Sequence, residues 1–127
     1  MISVVRVETP AHRAAMTAIR MAVFVDEQGV DADVEMDELD DDPTTVHVLA
    51  LADGSPIGTA RLLAPHPADA PAHIGRVAVL ATARDLGGGA LLMTDLEERA
   101  LARHGALVDG ARTVSVELSA QEGALGF

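Results

Sequence analysis

The sequence predicts an α/β (α+β) domain, a mixed sheet with helices packed on it. Three observations lead there. Apolar residues alternate with polar ones in several short segments, and recur at helical spacing in two long ones. Turn signals rich in glycine, proline and aspartate separate these segments. The resulting order is strand, helix, hairpin, strand, helix, strand, which calls for a layered architecture. The 127 residues suit one domain spanning 1–127, and at this length about two-thirds of the unfolded surface can be buried. Phe24 and Phe127 are the only aromatic residues, so the core must be aliphatic.

SVVRVE (3–8) alternates as a half-buried strand does. Thr9 is placed to cap a helix that opens on Pro10, a position proline favours. Ala14, Ala15, Ala18, Ile19, Ala22 and Val23 fall on one face of that helix, and Gly29 stops it. The acidic segment that follows reads as a loop. TVHVLALA (45–52) and IGTARLLA (57–64) form a hairpin around the Asp53-Gly54 turn signal. After the proline-rich loop 65–71, HIGRVAVL (73–80) is apolar enough for a central strand. Residues 88–104 make the second long helix, closed by Gly105, and TVSVELS (113–119) is a last strand.

Composition excludes several function classes. There is no cysteine, hence no disulfide or thiolate chemistry. The N-terminus lacks a signal-peptide pattern and no segment is apolar for long enough to span a membrane, so a cytoplasmic protein is expected. The formal charge is −11, with nine arginines and no lysine, which argues against a nucleic-acid partner. DADVEMDELDDD (31–42) carries eight acids in twelve positions. It is either a solvated loop or the wall of a site for cationic amines. It is not a calcium loop: with Asp31 first, the sixth position holds Met36 instead of glycine and the twelfth holds Asp42 instead of glutamate. No metal site is expected.

RDLGGG (84–89) precedes the second helix, where each glycine costs about 1 kcal/mol relative to alanine. Taken alone, a glycine turn reads better as a plain loop; the alternative is a bare backbone that something touches. A helix N-terminus offers free N–H groups and a partial positive charge, and glycines let an anion reach them. The spacing Arg84-x-x-Gly87-x-Gly89 adds a guanidinium. It is neither a dinucleotide fingerprint nor, lacking lysine, a P-loop.

VAVLATARDLGGGALLM resembles the acetyl-CoA-binding motif of the GNAT N-acetyltransferases, R/Q-x-x-G-x-G/A between a strand and a helix. IRMAVFVDEQG, the acids Glu35, Asp37 and Asp40, His47, ARLL (60–63), IGRVAV (74–79) and LSAQ (118–121) extend the resemblance to the ElaA-like branch over nearly the whole chain. It implies the GNAT fold and acetyl-CoA as cosubstrate. Backbone groups of Val77, Ala78 and Val79 would meet the pantetheine arm and the thioester. The N–H groups of Leu86, Gly87, Gly88, Gly89 and Ala90 would hold the pyrophosphate beside Arg84, with Ser119 and Gln121 across the pantetheine.

Transfer to a primary amine of a small molecule or peptide needs a neutral nitrogen, a stabilised oxyanion and a protonated leaving thiolate. Val79 is the expected oxyanion donor. Glu27, Asp37 and Asp40 match the branch's acids. They either bind the ammonium and take its proton through water, or only order the loop, with Glu27 on Arg20 or Arg76. Glu117 is expected to face solvent or Arg61, and His47 to be structural. Relatives carry a tyrosine acid where this chain ends, and two further strands, so the resemblance implies a C-terminally incomplete domain, prone to homodimer contact at the edge of 113–119. An acyl-homoserine-lactone-synthase-like acyltransferase and a non-catalytic acyl-CoA-binding module are the alternatives.

Overall fold

In the computed structural model, which describes residues 1–31, 37–68 and 70–118, a five-stranded sheet carries one helix on each face. Strand β1 (Ile2–Arg6) leads through Thr9 into α1 (Pro10–Arg20). The Thr9 hydroxyl accepts the His12 N–H at 3.1 Å and Pro10 opens the helix, so the expected cap forms. The helix does not stop at Arg20 but continues as a π-helical segment, Met21–Glu27. This wider coil is frequent at functional sites, and Gly29 ends it at φ +75°.

Strands β2 (Val46–Ala52) and β3 (Ser55–Leu63) form the expected hairpin, and β4 (Ala72–Val79) lies between β3 and the last described strand. Helix α2 spans Gly88–His104. Gly105 follows it in extended conformation, and a Cβ there would lie 2.3 Å from the Leu101 carbonyl oxygen, which requires glycine at this position. The predicted strand 113–119 divides. A small hairpin, β5 (Ala106–Val108) and β6 (Ala111–Thr113), comes first, and β7 (Val116–Leu118) alone joins the main sheet, parallel to β4. Val114 and Val116 pack on the core, while Leu118 is 48% exposed at the sheet edge.

The sheet order is β1-β2-β3-β4-β7. Val48, Ala60, Leu62, Ile74, Val77 and Val79 pack with Leu92, Leu96 and Ala100 of α2. On the other face Leu49 and Ala78 meet Met16 and Ile19 of α1, together with Val23 and Phe24. Ile74 and Val77 share a face although three residues apart, which regular alternation forbids. A β-bulge accounts for it. Thr59 pairs with Ala78 and Arg61 with Gly75, so Arg76 and Val77 together face Ala60. Arg76 takes φ +53°, a conformation that non-glycine residues seldom adopt.

The acidic segment is neither a plain loop nor wholly solvated. Glu38–Asp41 form a 3₁₀ turn, and Asp40 is buried beneath it. Its carboxylate accepts hydrogen bonds from Arg20 at 2.8 and 3.2 Å and from Arg61 at 3.0 Å. Burial alone would raise this carboxyl, but the hydrogen bonds and charges of the two arginines outweigh it and hold it below its ordinary 3.8. His47 is structural, as expected: its Nε2 donates to the Asp40 carbonyl at 3.1 Å. Arg13 adds an ion pair to Asp41 at 2.6 Å.

Removing one member of a buried charge cluster leaves the others unpaired. Asp40→Asn should therefore cost about 3–5 kcal/mol of stability, read by urea denaturation at pH 7. A loss below 1 kcal/mol would show that the cluster is dispensable.

Burial pushes the His47 imidazole below its ordinary 6.5, against the pull of Asp40. Below pH 6.5 the unfolded chain thus binds a proton that the folded chain refuses, and stability falls with pH. His47→Gln keeps a neutral donor and should lose less stability than the parent between pH 7.5 and 5.5, where the slope for one such group is at most about 1.4 kcal/mol per pH unit. Equal losses in the two proteins would remove His47 as the cause.

Candidate active site

The sheet aims one edge of β4 outward. The Leu80 N–H donates to the Ile57 carbonyl at 2.8 Å, on the β3 side. With antiparallel alternation, Ala78 also turns its backbone groups to β3, and those of Val77 and Val79 face the opposite edge. The Val79 carbonyl is met there by Arg84 Nε at 3.1 Å. Pairing with β7 on this edge is described for Ala72, His73 and Ile74. Ser119 and Gln121 lie outside the described residues.

Beyond Val79 the chain makes a 3₁₀ turn, Ala81–Leu86, and Gly87 enters α2 at φ +84°. No side chain caps the helix, so its first N–H groups have no side-chain acceptor. The three glycines are not equivalent. Gly87 supplies the left-handed backbone, with open space where a Cβ would stand. Gly88 is buried, and a Cβ there would lie 3.2 Å from Ile57 Cδ1, so its bareness serves close packing of α2 on β3. Gly89 is buried and Ala90 exposed in the same first turn. An uncapped, glycine-opened helix end beside an outward strand edge fits a pyrophosphate with an extended arm.

Arg84, and not the expected Arg20 or Arg76, is the partner of Glu27. Its Nη2 donates to Glu27 Oε2 at 2.7 Å, with a second contact between Nη1 and Oε1. The Arg84 hydrogen bond lowers the Glu27 pKa, so the carboxylate stays ionised. The pair ties the end of the π-helical segment to the loop before α2. Asp37 sits at the bulge, where it accepts from Arg61 at 2.8 Å and Arg76 at 3.3 Å while capping Leu39 N at 3.1 Å. Glu117 stands by His73, with Oε2 3.6 Å from Nδ1, and not by Arg61.

The predicted site residues therefore gather along β4: Val77, Ala78 and Val79 in the strand, Asp37 at its bulge, Arg84 to Ala90 past its end, and Glu27 bridged to that end. Sequence reading missed the bulge and the β5–β6 hairpin. The second had a signal, Asp109-Gly110 between short apolar runs.

A family model for the acetyltransferase (GNAT) family matches residues 13–126. The chain belongs to the GNAT family. A Lactobacillus plantarum structure assigned as an N-acetyltransferase is 36% identical at a TM-score of 0.68, over 80% of this chain and 68% of that one. An acyl-CoA N-acyltransferase from Pseudomonas aeruginosa is 29% identical at 0.73, covering 97% and 79%. Escherichia coli ElaA shares the fold at 24% identity and 0.75, covering 93% and 77%. The GNAT fold and acyl-CoA-dependent acyl transfer follow for this chain.

The glycine geometry yields a direct check. Gly87→Ala meets no neighbour but must hold a positive φ at roughly 1–2 kcal/mol. Relaxation of the loop should misalign the helix end and weaken coenzyme A binding at least tenfold, about 1.4 kcal/mol. Calorimetry on a folded Gly87→Ala protein with unchanged affinity would refute the nest.

Proposed function

We propose that this GNAT protein transfers an acetyl group from acetyl-CoA to a primary amine of a small molecule or peptide, directly from the thioester and without a metal ion, in the cytoplasm. The observation that carries this reading is the uncapped, glycine-opened start of α2 next to the outward backbone of Val77 and Val79. When bound, acetyl-CoA supplies the activated acyl group and a thiolate leaving group.

The chain's own groups take the remaining roles. The N–H groups from Leu86 through Ala90 hold the pyrophosphate. The Val77–Val79 edge aligns the pantetheine as an added strand would, with Ser119 and Gln121 on its other side. The Val79 N–H polarises the carbonyl that is attacked. Glu27 acts through Arg84: a guanidinium fixed at two points keeps the 81–86 turn in place. Asp37, partly exposed at the bulge, attracts the ammonium and passes its proton to water. Local geometry outweighs the chain's net charge toward an anionic cosubstrate, since charges beyond about 8 Å are screened at physiological salt.

Thiol release from acetyl-CoA, followed over a panel of primary amines, tests the proposal. Release should saturate in both substrates, match the acetylated amine one for one, and vanish without amine. Tight coenzyme binding with no turnover across the panel would point to a non-catalytic acyl-CoA-binding module, and no binding at all would overturn the proposal entirely.

A further inference from the structure

Strand β1 closes one side of the sheet, and no described strand pairs with its outer edge. Its inner edge is fixed at both ends. The Asp53 N–H donates to the Met1 carbonyl at 3.1 Å, and the Val7 N–H to the His47 carbonyl at 2.9 Å. Between them the register is unbroken, from Ile2 opposite Ala52 to Arg6 opposite Val48. Bonded residues alternate in an antiparallel ladder, so Met1, Ser3, Val5 and Val7 turn their backbone groups to β2. The N–H and C=O groups of Ile2, Val4 and Arg6 therefore point away from the sheet.

Natural proteins blunt such an edge with proline, lysine, a bulge or a covering element. Strand β1 has neither proline nor lysine, its register with β2 carries no bulge, and its one charge is Arg6. It is also apolar on both faces and incompletely covered on both. Ile2 and Val4 are partly buried against the α2 side, and Val5 against the α1 side.

A strand of matching chemistry would meet both needs, and β1 is itself such a strand. About a twofold axis through Val4, Val4 meets its own copy, Ile2 meets Arg6 and Ser3 meets Val5. No other axis pairs Ile2, Val4 and Arg6 among themselves. Centring on Arg6 would set guanidinium against guanidinium, and centring on Ile2 would run Val4 and Arg6 past the end of the copy. In the Val4 register no like charges face each other, and residues 1–7 hold no acid although the chain carries −11. The stem of Arg6 would lie across Ile2 of the copy, beside Leu91, which is 42% exposed. The opposite edge suits pairing less: β7 has three residues and neighbours the outward backbone of β4.

We propose that two copies of this chain pair through β1, antiparallel about Val4, into one continuous sheet. Neither acyl transfer nor coenzyme binding is needed for it. Sedimentation equilibrium of the full chain from about 5 to 500 µM should show a reversible monomer–dimer equilibrium. It should tighten with salt, which screens the repulsion between two acidic chains. Amide hydrogen exchange then locates the contact. The Val5 and Val7 N–H groups, bonded to β2, should be protected at every concentration, and those of Val4 and Arg6 at least tenfold more in the dimer than in the monomer. Val4→Pro removes the central outward N–H, which β2 does not use. It should weaken the dimer at least tenfold while far-UV circular dichroism and coenzyme A binding stay as in the parent. A monomer at every concentration, new protection at Val116–Leu118 instead of β1, or a folded Val4→Pro protein that dimerises like the parent would overturn the proposal. Should the proline variant fail to fold, the parent's exchange decides: protection of Val4 and Arg6 that ignores concentration overturns it.

Discussion

The fold hangs on one buried carboxylate. Asp40 has two arginines, Arg20 from the end of α1 and Arg61 from β3, and its own carbonyl takes the donor of His47 from β2. A charge removed from water must be compensated within the protein, so each partner has essentially one place to be. That requirement pins the acidic turn over the sheet and fixes the exit of α1, and with it the π-helical segment that ends at Glu27. Such a cluster is costly to assemble and more costly to break, so it contributes geometry more than net stability.

From this anchor the site follows in sequence. The turn held by Asp40 delivers Asp37 to the bulge, where Arg61 is shared between the two carboxylates. The bulge adds one residue to β4 and so returns Val77 and Val79 to the α2 face while their backbone groups turn to the outer edge. Without that residue the strand would present the wrong side chains to the core. The strain at Arg76 is thus tied to a registered function of the strand, and its guanidinium is held to Asp37 at the same point.

Much of this was legible in the sequence, for local reasons. Thr9-Pro10, the hairpin at Asp53-Gly54 and the helix 88–104 are written in nearest-neighbour chemistry, and each formed as read. The resemblance to the GNAT family was legible because an ordered set of motifs along the chain carries it, of which the glycine turn alone is the weaker part. The bulge was not, because a register shift depends on the pairing of two strands and leaves no mark in either alone. Partners in the ion-pair network were not legible either. With nine arginines and twenty acids, spacing offers many pairings, and only the folded sheet decides that Glu27 meets Arg84 and Asp40 meets Arg20 and Arg61. The acidic run looked like a choice between solvated surface and acceptor wall. In the described part it is divided, Asp40 inward, Asp37 at the strand and Asp42 at a cleft.

That division resolves an apparent conflict in the charge. A chain at −11 that belongs to a family using an anionic cosubstrate should repel it, if charge were spread evenly. In the structure Asp37 and Asp40, tied to arginines, sit beside the bulge of β4, while the uncapped start of α2 lies past the strand's far end, where Arg84 is paired with Glu27 and Asp85 stands in the same turn. A carboxylate at Glu27 holds that arginine in place without cancelling the backbone dipoles behind it, because those belong to peptide groups fixed by the helix and cannot be neutralised by a side chain rearranging. Past Val79 the chain thus presents backbone N–H groups with no side-chain acceptor, independent of the acids around them.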